Sequence, residues 1–136
     1  MAELFAGVGG FREAVKHSSL KNHFEVSWSN QWEPSESAKP GDLQNANRVY
    51  IAKFGKHGHY TDDIHLITDS EKKLPKDIAD IEMLVGGFPC QDYSVAKTLN
   101  SSKGLKGKKG VLWWEILRLV NGQKPKFIFL ENVDRL

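Results

Sequence analysis

Cysteine occurs once in this chain, as Cys90, and its neighbours are unusual for a core filler. A lone cysteine is most often an inert, buried side chain. Cys90 instead follows Gly86-Gly87-Phe88-Pro89 at the end of the apolar run Ile81–Val85, and it opens a long polar stretch. A thiol there has a nucleophile's position, because ligand sites in parallel α/β sheets lie at the carboxyl ends of strands. No histidine lies close in sequence, so how the thiol is activated stays open. Glu131, in Glu131-Asn132-Val133, ends a second apolar run, Phe127–Leu130. A carboxylate at that point can cap, form a salt bridge or act on a substrate. A thiol and a carboxylate on neighbouring strand ends favour the last of these.

A third group is Phe5-Ala6-Gly7-Val8-Gly9-Gly10-Phe11, between a first strand and a first helix. Such a turn lets a ligand approach the backbone and the helix N-terminus. Arg12 stands where the third glycine of G-x-G-x-x-G belongs, which disfavours a pyrophosphate. A nucleoside cofactor site and a merely tight turn both remain open. Lys103, Lys106, Lys108 and Lys109 cluster without an intervening acid, as a phosphate-binding loop or a solvated one. His57-Gly58-His59 with Asp62 and Asp63 looks only superficially like a metal site, since two imidazoles without a thiolate partner usually belong to a solvated loop.

The elements that must position these groups alternate between β-like runs and helical stretches, as in an α/β fold with a mostly parallel sheet. Strands are expected at Ala2–Phe5, Phe24–Trp28, near Asp63-Ile64, at Ile81–Val85 and at Phe127–Leu130. The last reads as buried by composition. Helices are expected over Phe11–His17, from a cap at Asp42 to Phe54, and from about Leu112 to Asn121-Gly122. In the second, Leu43, Ala46, Val49, Tyr50 and Lys53 share one face. In the third, Leu112, Ile116, Leu119 and Val120 do. Residues 91–109 show no sustained period, and a loop of that length is usually functional or disordered.

Composition bounds the rest. The 136 residues suit one domain, with 40% apolar and 26% charged residues. No run approaches the roughly 20 apolar residues of a membrane span, and the N-terminus lacks a secretory pattern. A single cysteine excludes an internal disulfide framework, so the chain reads as cytoplasmic, without a membrane or metal. The net charge of +2 does not by itself announce nucleic acid.

With these residues in place, the chain resembles the N-terminal part of the catalytic domain of C5-cytosine DNA methyltransferases. The glycine turn is similar to their first S-adenosyl-L-methionine motif. Gly86–Ser94 is similar to the nucleophile motif, and Glu131-Asn132-Val133 to the motif whose Glu holds the target cytosine. Gly110-Val111-Leu112-Trp113-Trp114-Glu115 fits a helix start that helps close the cofactor pocket. The resemblance implies a Rossmann-like methyltransferase fold and methyl transfer to C5 of a flipped-out cytosine, with S-adenosyl-L-homocysteine as product. Cys90 would be the nucleophile and Glu131 would hold the base. Phe5, Gly7, Gly9, Phe11, Gln31, Trp32, Asp63, Ile64 and Leu112 would line the cofactor pocket. Gln91, Ser94 and the four lysines would face double-stranded DNA.

Two departures stand out. The family usually carries an acid where Gln31 stands, which leaves the ribose ligand open between Gln31 and Glu33. The family also continues beyond Leu136 with an arginine-bearing motif, a target-recognition region and further strands. Residues 1–136 are therefore expected to be a part that ends after about the fifth strand: an excised domain, a split-gene subunit or a truncated gene. Such a part is expected to be inactive alone. Its uncovered edge at Phe127–Leu130 would pair with a missing C-terminal half, a second subunit or another copy.

Overall fold

The computed structural model describes residues 1–32, 43–68, 78, 80–88 and 111–132. Strands and helices alternate: β1 (Ala2–Leu4), α1 (Gly10–His17), β2 (Trp28–Asn30), α2 (Asn45–Phe54), β3 (His59–Tyr60), α3 (Ile64–Thr68), β4 (Met83–Gly87), α4 (Val111–Gln123) and β5 (Phe127–Glu131). All neighbouring strands are parallel, in the order β3-β2-β1-β4-β5. The chain moves outward from β1 to β3 and then returns to β4 on the other side of β1. That reversal opens a crevice at the carboxyl ends of β1 and β4, where sheets of this topology bind ligands. The fold is the expected α/β, Rossmann-like one.

Ala2 and Leu4 of the middle strand are fully buried and pack with Trp28, Ile64, Ile67, Ile78, Ile81, Leu84, Phe88, Ile116 and Leu119. On α4 the expected apolar face is the one that packs: Ile116 and Leu119 are buried, with Leu112 and Val120 partly so. Each such aliphatic side chain contributes about 1.5–3 kcal/mol by leaving water.

Several boundaries differ, each for a reason of tertiary pairing. The second strand lies at Trp28–Asn30 rather than Phe24–Trp28, because the short β1 pairs from Ala2 with Trp28 onward. The third strand falls on His59–Tyr60, inside the expected loop, where His59 aligns with Ser29. Asp63-Ile64 is not a strand. The Asp63 carboxylate accepts the His65 N–H at 3.0 Å at the start of α3, which an Asx-type cap explains. On α2, Asn47 and Tyr50 are buried while Leu43 and Val49 are exposed. The packed face is therefore rotated from the apolar stripe, toward a polar partner on β3. Gln44 holds the N-cap position of this helix without a side-chain capping bond, and Asp42 lies outside the described residues. β4 extends to Gly87, two residues beyond the expected end. Phe127–Leu130 is not a buried strand. Among the described residues it is the uncovered edge expected above, with Phe127 65% exposed and Phe129 55% exposed.

The polar partner is His59, whose Nε2 meets Asn47 Oδ1 at 2.9 Å and whose Nδ1 meets Ser29 Oγ at 2.8 Å. In the neutral ring Nε2–H donates to the amide oxygen and Nδ1 accepts from the hydroxyl. The imidazole also stacks on Tyr50 at 4.0 Å between centroids. Burial, reinforced by the Arg12 guanidinium, pushes the His59 pKa down to about 4. An unfolded chain takes up this proton near pH 6.5, whereas the folded one resists until about pH 4, so stability is lost as pH falls through that window. The loss is at most about 3 kcal/mol. Glu3, whose pKa is raised by burial, acts in the opposite sense and offsets part of it. Urea unfolding should therefore show a markedly lower midpoint at about pH 4.5 than at about pH 7, and His59→Gln should flatten that difference.

Candidate functional site

The turn after β1 brings the chain from strand to helix through left-handed backbone at Phe5 (φ 51°), Gly7 (φ 54°) and Gly9 (φ 87°). Gly9 is required twice over, because a Cβ there would also lie 2.3 Å from the Phe54 ring. At Gly7 a Cβ would meet nothing within 4 Å, so one side of the turn is open to a ligand. The turn is braced from within. Ala6 N–H donates to the Asn30 carbonyl at 2.9 Å, Gly9 N–H to the Ala6 carbonyl at 2.7 Å, and Gly7 N–H to Gln31 Oε1 at 2.7 Å. Gln31 is thus a buried amide that ties the end of β2 to the glycine turn.

Glu3 completes the brace. Its side chain is fully buried in β1, yet Oε1 accepts from the Phe11 and Arg12 N–H groups at 3.1 and 3.3 Å, and Oε2 accepts from the Tyr50 hydroxyl at 3.2 Å. Gly9, the N-cap of α1, has no side chain to cap with, so a carboxylate from the neighbouring strand serves. Burial raises the Glu3 pKa against the opposing pull of the Arg12 N–H, the Tyr50 hydroxyl, the Phe11 N–H and the Arg12 guanidinium.

On the other side of the crevice, Gly87 of β4 aligns with Glu131 of β5. A Cβ on Gly87 would lie 3.1 Å from Glu131 Oε2, so the carboxylate lies across the glycine. Asn132 then donates through Nδ2 to the Phe88 carbonyl at 3.2 Å, joining the two strand ends just before Pro89. Phe11 meets Phe129 edge-on at 5.7 Å, which links the glycine turn to β5. Phe5 and Leu112 pack against one core cluster, and Ile64 belongs to it. Asp63 caps α3, and Trp32 is half-buried after β2. Cys90, Gln91, Ser94, Lys103, Lys106, Lys108, Lys109 and Glu33 lie outside the described residues.

Glu3 and Asn47 were not singled out by sequence, Tyr50 was placed only on a helix face, and Glu115 only at a helix start. Glu115 is 1% exposed and bonds Arg118 Nη1 through both oxygens at 2.8 Å, His65 Nδ1 at 3.1 Å, and the Thr68 hydroxyl. It clasps α3 to α4. The available signal was an acid inside an apolar run, as Glu3 is in Ala2-Glu3-Leu4 and Glu115 is in Trp114-Glu115-Ile116. Two clefts of about 600 and 450 Å³ lie at the opposite, amino end of the strands. The first is lined by Phe24, Val26 and His57 and reaches Arg12 and Phe54, and the second is lined by Met1, Met83 and Phe127.

The pattern of the C-5 cytosine-specific DNA methylase family matches residues 1–136. The chain belongs to that family. It is 45% identical over its whole length to the type II methyltransferase M.Sau3AI of Staphylococcus aureus, covering 31% of that protein. It is 34% identical to M.HhaI of Haemophilus parahaemolyticus over 96% of this chain and 32% of the relative. With M.Bsp6I of Bacillus sp. (strain RFL6) the identity is 36%, over the whole chain and 36% of the relative. The chain thus spans about a third of the length of these methylases.

Among the described residues the Gln31–Gly7 bond ties the end of β2 to the glycine turn. A buried N–H left without its acceptor costs about 1–3 kcal/mol. Gln31→Leu should lower stability by that amount in urea unfolding, whereas Gln31→Glu, which still offers an acceptor, should lose less.

Proposed function

We propose that this chain is the N-terminal portion of a cytosine-5 DNA methyltransferase catalytic domain, supplying the cofactor pocket, the nucleophile Cys90 and the base-holding Glu131. The observation that carries this reading is the junction of β4 and β5. Glu131 lies across Gly87, three residues before Cys90 in sequence, and Asn132 holds the intervening Phe88 carbonyl. The crevice beside it is bounded by the glycine turn.

The residues present fit S-adenosyl-L-methionine, since the turn is open above Gly7 and its own amides are braced by protein acceptors. Phe5, Gly7, Gly9 and Phe11 would line the turn, with Gln31 or Glu33 at the ribose, Trp32 and the Asp63-Ile64 pair at the adenine, and Leu112 opposite. The bound cofactor would supply an electrophilic methyl group. Cys90 would add as thiolate to C6 of the cytosine, forming a C–S bond and moving the ring's electron pair toward C5. Glu131 would hydrogen-bond N3 and the exocyclic amine, stabilising charge as it develops there. C5 would take up the methyl group, with S-adenosyl-L-homocysteine leaving, and loss of the C5 proton to solvent would then expel the thiolate and restore the aromatic ring. The base must leave the duplex for this. Gln91, Ser94, Lys103, Lys106, Lys108 and Lys109 would meet the DNA.

One further observation bears on partners. β5 is an edge strand with Phe127, Ile128 and Phe129 exposed, in a chain a third as long as its relatives. A polypeptide corresponding to the remainder would cover this edge, and methyl transfer would need it. Alone, the chain would be an inactive cofactor- or DNA-binding part that self-associates through Phe127–Leu130. Light scattering should show self-association that falls when the remainder of a relative such as M.Sau3AI is added.

The chemistry is tested by trapping. The mixture of both polypeptides, incubated with S-adenosyl-L-methionine and duplex DNA carrying 5-fluorocytosine, should yield a covalent adduct that maps to Cys90. Cys90→Ser should abolish adduct and methylation while S-adenosyl-L-homocysteine still binds in calorimetry. Methylation by the serine variant would overturn the assignment.

A further inference from the structure

The larger of the two clefts has no part in the chemistry above. It runs along α1 from Arg12 to Lys21, and α2 closes it with Lys53 and Phe54. The two helices meet there, since Arg12 Nη1 donates to the Tyr50 hydroxyl at 3.2 Å and Lys53 lies 3.6 Å from Glu13. Four full cations, Arg12, Lys16, Lys21 and Lys53, line the cleft against one acid, Glu25, among the described residues. The wider face repeats the imbalance. Residues 10–26 and 43–60 hold six lysines and arginines and two acids, a net of +4 where the whole chain carries +2.

Service to the helix dipoles accounts for Lys16 and Lys53, which stand in the last turns of α1 and α2. It does not account for Arg12, in the first turn of α1 where a cation is disfavoured, or for Lys21, beyond the end of that helix. Ion pairing leaves charge over as well. One carboxylate, Glu13, is shared among Lys16, Lys53 and His17 at 3.9, 3.6 and 2.9 Å. The side chains of Lys16, Lys21 and Lys53 are exposed.

We infer that the α1–α2 cleft is a phosphate-tracking surface, holding duplex DNA by its backbone away from the crevice that would take the flipped cytosine. The choice of polyanion rests on the chain's membership in a DNA methylase family; the contact itself involves neither the cofactor nor Cys90. Amines on long stems meet phosphates without a fixed register, which is the pattern of sequence-independent binding. An acidic peptide fits less well, because no strand lines the cleft to pair with its backbone.

Fluorescence anisotropy of the 136-residue chain with a labelled duplex of A·T pairs alone, which offers no cytosine, measures affinity across a salt series. The logarithm of affinity should fall linearly with the logarithm of salt, each phosphate contact adding about 0.9 to the slope. Lys16→Gln, Lys21→Gln and Lys53→Gln together should make the slope shallower by about 2.7, and each alone by about 0.9. Lys16→Arg, Lys21→Arg and Lys53→Arg together keep the charge and should keep both affinity and slope. Lys103→Gln, Lys106→Gln, Lys108→Gln and Lys109→Gln should leave the share of the cleft in place. If circular dichroism shows the triple glutamine variant unfolded, the single variants decide. No duplex binding by the wild type at low salt, or an unchanged slope in the glutamine variants, overturns the inference. So does tighter binding of poly-L-glutamate than of the duplex at equal charge. Failure of the trapping experiment at Cys90 would count against the proposed chemistry, while the salt slope still decides this contact.

Discussion

A carboxylate buried in the middle strand of a parallel sheet obliges the surrounding chain to supply donors, because leaving it unpaired costs several kcal/mol. Much of the structure around the glycine turn answers that demand. One oxygen of Glu3 orders the first turn of α1, and the other receives the hydroxyl of Tyr50 from α2. Tyr50 in turn accepts from Arg12 and stacks on His59 of β3, which Ser29 of β2 and Asn47 of α2 hold by both ring nitrogens. A single buried charge therefore connects every element on the β1–β3 side of the sheet.

The β4–β5 side rests on a different arrangement. Glu115 clasps α4 to α3 through Arg118, His65 and Thr68, and the strand ends meet through Glu131 over Gly87 and Asn132 on the Phe88 carbonyl. The two halves join through the pairing of β1 with β4, where Gly86 lets the Leu4 carbonyl come within 3.0 Å of the position a Cβ would take. The crevice is the seam between them. In this arrangement the glycine-turn side is braced by several buried polar contacts, and among the described residues Phe88 and Asn132 join the ends of β4 and β5.

The chain spans about a third of the length of these relatives. Ordinary edge strands carry charge or proline to resist pairing, and β5 carries neither over Phe127-Ile128-Phe129-Leu130. Its aromatic faces are the largest exposed apolar surface on any strand among the described residues.

The sequence by itself determined the fold class and the functional family. Alternating runs specify a parallel α/β sheet, and the three motifs occur with residue types that only a narrow chemistry uses. It also determined the buried face of α4, where Ile116 and Leu119 repeat at helical spacing with Leu112 and Val120. Tertiary structure decided what short elements became. Phe24–Trp28 alternates well, yet pairing begins at Trp28 because β1 is three residues long and sets the register. His59 looked like a loop residue or a metal ligand until Ser29, Asn47 and Tyr50 closed around it. Glu3 went unremarked within the apolar run Ala2–Phe5, and only the fold places two N–H groups of α1 on its oxygen. Periodicity is a local property, so it reports elements long enough to show a face. Partners for a buried polar group come from residues 8 to 47 positions away, and only the folded chain brings them together.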